Sequence, residues 1–208
     1  MIPELSMVYV PGTMLYPDEV PRRNLIDYEL GGVAIQDPSQ GLQVQAWKCF
    51  YNKFDFKVYV TPMVTDPNTA IELFEESGIV ELSIAFDQNM RWLCVYVLNT
   101  GQCKLRWYDA SIGNYAIRDM GMEIISPMLA MDDKRAQLVS DSDVLLTYIT
   151  KSKKLCVRVQ RERFNTEHVL KTNIKGRIYN FGMTNKLRLE WQIFDFETAG
   201  AQSLSGGQ

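Results

Sequence analysis

The chain has 208 residues, 46% of them hydrophobic and 23% charged, with a formal net charge of -3. That length buries a core without disulfide staples, the composition excludes an intrinsically disordered chain, and the lack of a basic excess argues against a protein whose main task is gripping nucleic acid. No stretch approaches the roughly 18 consecutive apolar residues of a membrane helix, and MIPELSMVYVPG lacks the regions of a secretory signal, so no transmembrane helix and no signal peptide are expected.

In residues 1–40, Pro3, Pro11, Pro17, Pro21 and Pro38 interrupt any long regular element. They predict an extended arm packed on its own domain or on a neighbour, with one helical turn in PRRNLIDYELGG ended by Gly31 and Gly32. Residues 41–196 read as β. LQVQAWKCFY, the NKFD turn and FKVYV form a hairpin signal, and NTAIELF fits a strand or a short helix. WLCVYVL and VLLTYI are apolar on both faces, which predicts strands covered on both sides. CKLRWY and LCVRVQRERF alternate, so one face of each meets solvent or a partner. GRIYNFGM, a TNK turn and LRLEWQIF form a last hairpin. Residues 197–208 are small, polar and glycine-rich and read as a mobile tail.

The β region repeats itself. Shifted by 52 positions, Tyr96 falls on Tyr148, Leu105 on Val157, Arg106 on Arg158 and Ile117 on Val169, and a looser first copy sits 46 positions before the second. Each copy reads as a strand, a tight turn, a second strand, another turn and a short third strand. The fold class expected is mainly β, with antiparallel blade-like or sandwich-like repeats and an extended N-terminal arm. Closed propellers use about four to eight blades, so three such units predict a sandwich or an incomplete array whose edges are finished by neighbouring copies, and a ring-like homo-oligomer is the favoured reading.

Residues of the types that carry chemistry have structural explanations. Cys49, Cys94, Cys103 and Cys156 lie in apolar strand patterns and read as buried free thiols, with a Cys94–Cys103 disulfide as the minor alternative. His168 is the single histidine and makes no zinc-type spacing with cysteine. Of Asp132, Asp133, Asp141 and Asp143, the Asp141-Ser-Asp143 stretch resembles the start of a calcium loop but lacks its glycine and distal glutamate, so turn capping explains the group better. Glu72, Glu75 and Glu76 read as a solvated face. The basic run Lys151, Lys153, Lys154, Arg158, Arg161 and Arg163 has only Phe164 beside it for stacking, so ion pairing within the fold or across a subunit boundary is preferred to nucleic-acid binding. No catalytic residue, metal or cofactor is expected, and the chain reads as a non-enzyme.

Seven phrases occur in an order that resembles a known family: DPSQGLQVQAW from Asp37, GIVELSIAFDQNMR from Gly78, LRWYD from Leu105, MDDKRAQ from Met131, SDVLLTYI from Ser142, VQRERFNTEHVL from Val159 and GMTNKLRLEW from Gly182. The series is similar to tailed-bacteriophage virion structural proteins of the tail or head-to-tail region, of the short-tailed type, and covers roughly residues 30–194. The resemblance implies a building block of a tail tube, nozzle, collar or connector, assembled in the bacterial host cytoplasm and located in the virion. Its implied partners are further copies of itself and other tail or connector proteins, with DNA passing transiently and without specific binding. Residues of types enriched at interfaces, Arg106, Trp107, Tyr108, Arg158, Arg161 and Arg163, are the interface candidates. The alternative is a carbohydrate- or receptor-binding module in which exposed Trp107 and Tyr108 stack on sugar rings.

Overall fold

The computed structural model describes residues 29–36, 44–62, 70–87, 91–131, 143–183 and 189–194. Among these, the chain is mainly β and is built as a series of antiparallel meanders. Strands β1 (Glu29–Gln36), β2 (Val44–Asn52), β3 (Lys57–Pro62) and β4 (Ile71–Glu75) form the first sheet in that order. The second sheet contains β5 (Ile79–Phe86), β6 (Trp92–Leu98), β7 (Cys103–Asp109) and β8 (Asn114–Gly121). The third contains β9 (Ile124–Met131), β10 (Val144–Thr150), β11 (Leu155–Val159) and β12 (His168–Lys171), and β13 (Arg177–Met183) pairs with β14 (Leu189–Phe194). The leading strands run side by side from sheet to sheet: β5 packs against β1 and β9, and β9 against β13. Strands β4, β8 and β12 each close their sheet at the opposite edge.

The repeating unit therefore has four strands, one more than the repeated phrase. The extra strand is the leading one, β5 or β9. Strand β9 is hard to read because it contains Pro127, has Ser126 at φ 49 and carries a register irregularity opposite Thr147 and Ile149; a proline and a bulge both disguise a strand. A second correction concerns the arm. Strand β1 lies inside the 1–40 segment, and Gly31 and Gly32 stand in it opposite Cys49 and Lys48 instead of ending a helical turn. A register shift falls between Glu29 and Gly31. Residues 1–28 and 195–208 lie outside the described residues, as do Asp132, Asp133 and Asp141.

Packing follows the apolar pattern. Every residue of β10 is buried because the strand is covered on both sides: Val144, Leu146 and Tyr148 join the large core shared by the first three sheets, while Leu145 and Ile149 join a second core with Ile178 and Phe181 of β13. Trp191 of β14 donates its indole N–H to Thr147 Oγ1 at 2.8 Å, which satisfies a polar group in that second core. Strand β6 is buried along all but its first residue. In β7 burial alternates, with Cys103, Leu105, Trp107 and Asp109 inward and Lys104, Arg106 and Tyr108 partly exposed.

All four cysteines are free and buried. Cys103 stands opposite Val97 and Cys94 opposite Arg106, so the pairing register does not bring the two together as a disulfide. Burial pushes the Cys49 and Cys94 thiols well up and raises Cys156 to about 11. The thiolate is the nucleophile, so none of the four should react with a thiol-specific chromogenic reagent in the native state, and all four should react in denaturant. A fast-reacting native thiol would contradict this packing.

Candidate assembly surface

The 52-residue repeat extends to individual atoms at Tyr96 with Tyr148 and Arg106 with Arg158, whereas Ile117 stands opposite Arg106 and Val169 opposite Cys156, so the aligned Ile117 and Val169 do not occupy equivalent places. In the second sheet, Arg106 Nε donates to Tyr96 Oη at 3.1 Å, and that hydroxyl donates to Glu76 Oε2 at 2.9 Å. In the third, Arg158 Nε donates to Tyr148 Oη at 2.7 Å, and Tyr148 donates to Glu167 Oε2 at 2.5 Å. Two tyrosine–arginine pairs at equivalent places thus share one chemistry, but their carboxylates have different origins. Ile117 stands opposite Arg106 on β8, so the acid for that pair comes from Glu76 in the connection between the first and second sheets. Gly78 in that connection has φ +76, a conformation that other residues adopt only with strain, and its carbonyl accepts from Asn99 N at 2.7 Å. Lys104 Nζ reaches Glu76 Oε1 at 3.1 Å, and the Arg106 guanidinium lies 4.1 Å from the centre of the Phe74 ring. In the third sheet Glu167 immediately precedes β12, after a longer connection that includes a 3-10 turn at Gln160–Glu162.

Burial alone would raise the Glu76 carboxyl, but the hydrogen bonds from Lys104 and Tyr96 outweigh it and hold Glu76 below the usual carboxylate range. The Tyr148 hydrogen bond, with Arg158 adding to it, lowers Glu167 in the same way. Carboxyls with depressed folded values stabilise the fold fully above their unfolded value of about 4.3, and that contribution is lost as the pH falls through the folded values. The melting temperature should therefore drop as the pH falls below about 4.3, and a Glu76→Gln/Glu167→Gln variant should show a shallower acid dependence. Equal acid slopes for the variant and the parent would exclude these two carboxyls as the cause.

Most of the basic run pairs inside the chain. Arg158 also donates through Nη1 to the carbonyls of Phe164 and Asn165 at 2.9 and 3.1 Å. Arg161 pairs with Asp143, and Arg163 reaches across to Asp109 of the second sheet. Lys151 lies 3.9 Å from Glu123. Hydrogen bonds from Ser111, followed by the charge of Arg163, hold Asp109 below its ordinary value. Arg118 of β8 donates to the Arg163 carbonyl at 2.7 Å, a further tie between the second and third sheets. His168 contacts Glu162 at 2.9 Å. Asp143 accepts from the Arg161 backbone N–H at 3.1 Å and pairs with the Arg161 guanidinium, a long-range tie and not the local turn cap expected of that acidic group.

Phe164 belongs to the interior. It is fully buried and meets Trp107 edge to face with the ring centres 6.1 Å apart, so a residue from the third sheet's connection plugs the second sheet. Arg163 and Phe164 both take left-handed backbone conformations, φ 53 and 57, which burial of the phenyl ring compensates. Trp107 is 6% exposed and covered by the chain itself, so it does not offer a free face. Arg118 also lies over its ring, at 5.2 Å. Tyr108 is half-buried, with Arg91 4.0 Å above its ring. Of the six interface candidates, Arg106, Trp107 and Arg158 serve the fold, Tyr108 is half-covered, and Arg161 and Arg163 are outward-reaching but ion-paired.

The exposed apolar groups lie elsewhere, on the outer strands. Ile71 of β4 is 53% exposed and Ile117 of β8 is 55% exposed, and they stand opposite Val60 and Arg106 at equivalent positions in successive sheets. On β12 all four residues are exposed, including Val169 and Leu170, which as sequence neighbours point to opposite faces. The polar-looking run NKFDF also leaves Phe54 and Phe56 exposed at the β2–β3 turn. Among the described residues, no group of three or more histidine, cysteine, aspartate or glutamate side chains is placed to hold a metal ion. Compared with protein-family models and with curated proteins, the chain matches neither.

Proposed function

We propose that this chain is a non-enzymatic structural building block of a bacteriophage tail, acting by oligomeric assembly and by contacts with other tail or connector proteins. The observation that carries the reading is the row of outer strands, β4, β8 and β12, which end their sheets with exposed isoleucine, valine and leucine side chains. An outer strand presents unpaired backbone groups, and apolar side chains along it favour burial against another surface. The virion assignment rests on the phrase resemblance; GIVELSIAF, LRWYD and SDVLLTYI fall on strands β5, β7 and β10. The sugar-binding alternative rested on exposed Trp107 and Tyr108; the Trp107 ring is buried, and Tyr108 is half-buried with Arg91 over its ring.

Antibody labelling of purified particles in electron micrographs tests the virion assignment. Labelling confined to the tail or the head-to-tail junction is the expected result. Particles that lack the chain while the host lysate contains it would overturn the proposal.

A further inference from the structure

We propose that the chain docks head to tail on a second copy of itself, with outer strand β4 of one copy against outer strand β12 of the next. The inference rests on the assembly reading above and names the surfaces that carry it.

Three observations select these two strands. Strand β12 has no buried residue, so among the described residues Val169 on one face and Leu170 on the other are both left open, and no described strand pairs with the strand's outer edge. Strand β4 ends the first sheet with Ile71 exposed, and Phe54 and Phe56 are exposed at the turn that precedes β3. The middle outer strand, β8, also leaves Ile117 exposed, but it is tied to the following sheet through the Arg118 bond to the Arg163 carbonyl and carries charges of both signs, Arg118 and Asp119, so it presents no surface of one sign. Strands β4 and β12 thus belong to the first and third sheets, on either side of the second.

Charge then decides how they meet. Strand β4 carries Glu72 and Glu75 and no cation, although Lys57 on the neighbouring strand pairs with Glu72 at 2.9 Å. Strand β12 carries Lys171, and the β10–β11 turn beside it exposes Lys153 and Lys154. The Lys153 carbonyl accepts from Ile174 N at 2.9 Å, which also brings the exposed Lys175 segment to this end of the sheet. A β12–β12 contact would bring two lysine-bearing surfaces together, and a β4–β4 contact two glutamate-bearing ones; the unlike pairing brings opposite charges together instead. A contact between two different surfaces of identical subunits is heterologous and generates a ring where its rotation closes. A nucleic-acid role suits the lysines less well, because the exposed side chains interleaved with them are valine and leucine instead of stacking aromatics.

Light scattering after size exclusion, performed on the full chain, tests the pairing with Ile71→Asp, Leu170→Asp, Glu75→Lys and Lys171→Glu. All four positions are exposed, so the folded circular dichroism spectrum should be retained. Each single variant should lose the higher assemblies of the parent. Mixing Ile71→Asp with Leu170→Asp should restore heterodimers, because each variant keeps one intact surface, and combining Glu75→Lys with Lys171→Glu in one chain should restore assembly. Full assembly by Ile71→Asp or by Leu170→Asp would overturn the pairing while leaving the assembly reading intact. Loss in Leu170→Asp alone, without rescue on mixing, would show an isologous contact and also overturn it. Normal assembly of Lys171→Glu with weakened binding to a short DNA duplex would reassign the lysines to nucleic acid. A parent chain that stays monomeric and is absent from particles would remove the assembly reading itself.

Discussion

Replacing Arg158 by alanine is expected to destabilise the chain by about 3 kcal/mol, the lower end of the range for breaking a buried pair, because this pair is partly solvated. The guanidinium serves four acceptors: the Tyr148 hydroxyl, the carbonyls of Phe164 and Asn165, and Glu167. Its removal leaves the Tyr148–Glu167 bond without a compensating cation and releases the connection between β11 and β12. The first sheet supplies an internal control. Phe50 and Val60 occupy the places of Tyr148 and Arg158, with Phe50 stacked on Tyr59 at 5.2 Å, and Ile71 stands opposite Val60. A polar network removed as a unit costs less than one broken in part. Tyr148→Phe/Arg158→Val/Glu167→Ile, which removes the network as a unit, should therefore be more stable than Arg158→Ala. Urea unfolding measures both. A triple variant less stable than the single would show that the network does more than satisfy its own polar atoms.

The second large effect is expected at Phe164. Truncation to alanine should cost about 4 kcal/mol, the usual price for emptying a phenyl site that cannot collapse. The loss should be aggravated because Arg163 and Phe164 hold left-handed backbone conformations, which persist only while the ring is buried against Trp107. Trp107 fluorescence should shift to the red as water enters. Phe164→Leu, which keeps most of the apolar volume, should recover more than half of the stability. Equal losses for alanine and leucine would point to the backbone conformation instead of the cavity as the source.

Much of the architecture was legible as periodicity. The positions aligned by a 52-residue shift, Tyr96 with Tyr148 and Arg106 with Arg158, make the same hydrogen bond, Arg106 and Arg158 each donating to the tyrosine hydroxyl. The strands that read as apolar on both faces, β6 and β10, are the buried centres of their sheets. Strand β9 was not legible because Ser126 and Pro127 break its pattern, and β1 was hidden by glycines that resemble a helix stop. The burial of Trp107 was available in the sequence: it is in phase with Cys103 and Leu105, the inward set of β7, whereas Arg106 is in phase with Lys104. An aromatic in the inward phase is core before it is interface.

The candidate surface was less legible, for a physical reason. Glu76 and Glu167 serve equivalent tyrosines, but one comes from the connection between sheets and the other from just before an outer strand, a difference set by connection length and not by any motif. The open apolar residues on β4 and β12 look like ordinary strand residues, and only the placement of those strands at sheet edges leaves Ile71, Val169 and Leu170 uncovered. Phe164 has one sequence signal, an aromatic inside a polar connection, and it is too weak to separate a plug from an exposed contact.

Native mass spectrometry of the purified full chain tests the central claim, assembly through open sheet edges, most directly. The account predicts a series of multimers ending in a closed ring for the parent, and a monomer for the Ile71→Asp/Leu170→Asp double variant with an unchanged circular dichroism spectrum. A double variant that forms the same ring as the parent would contradict it.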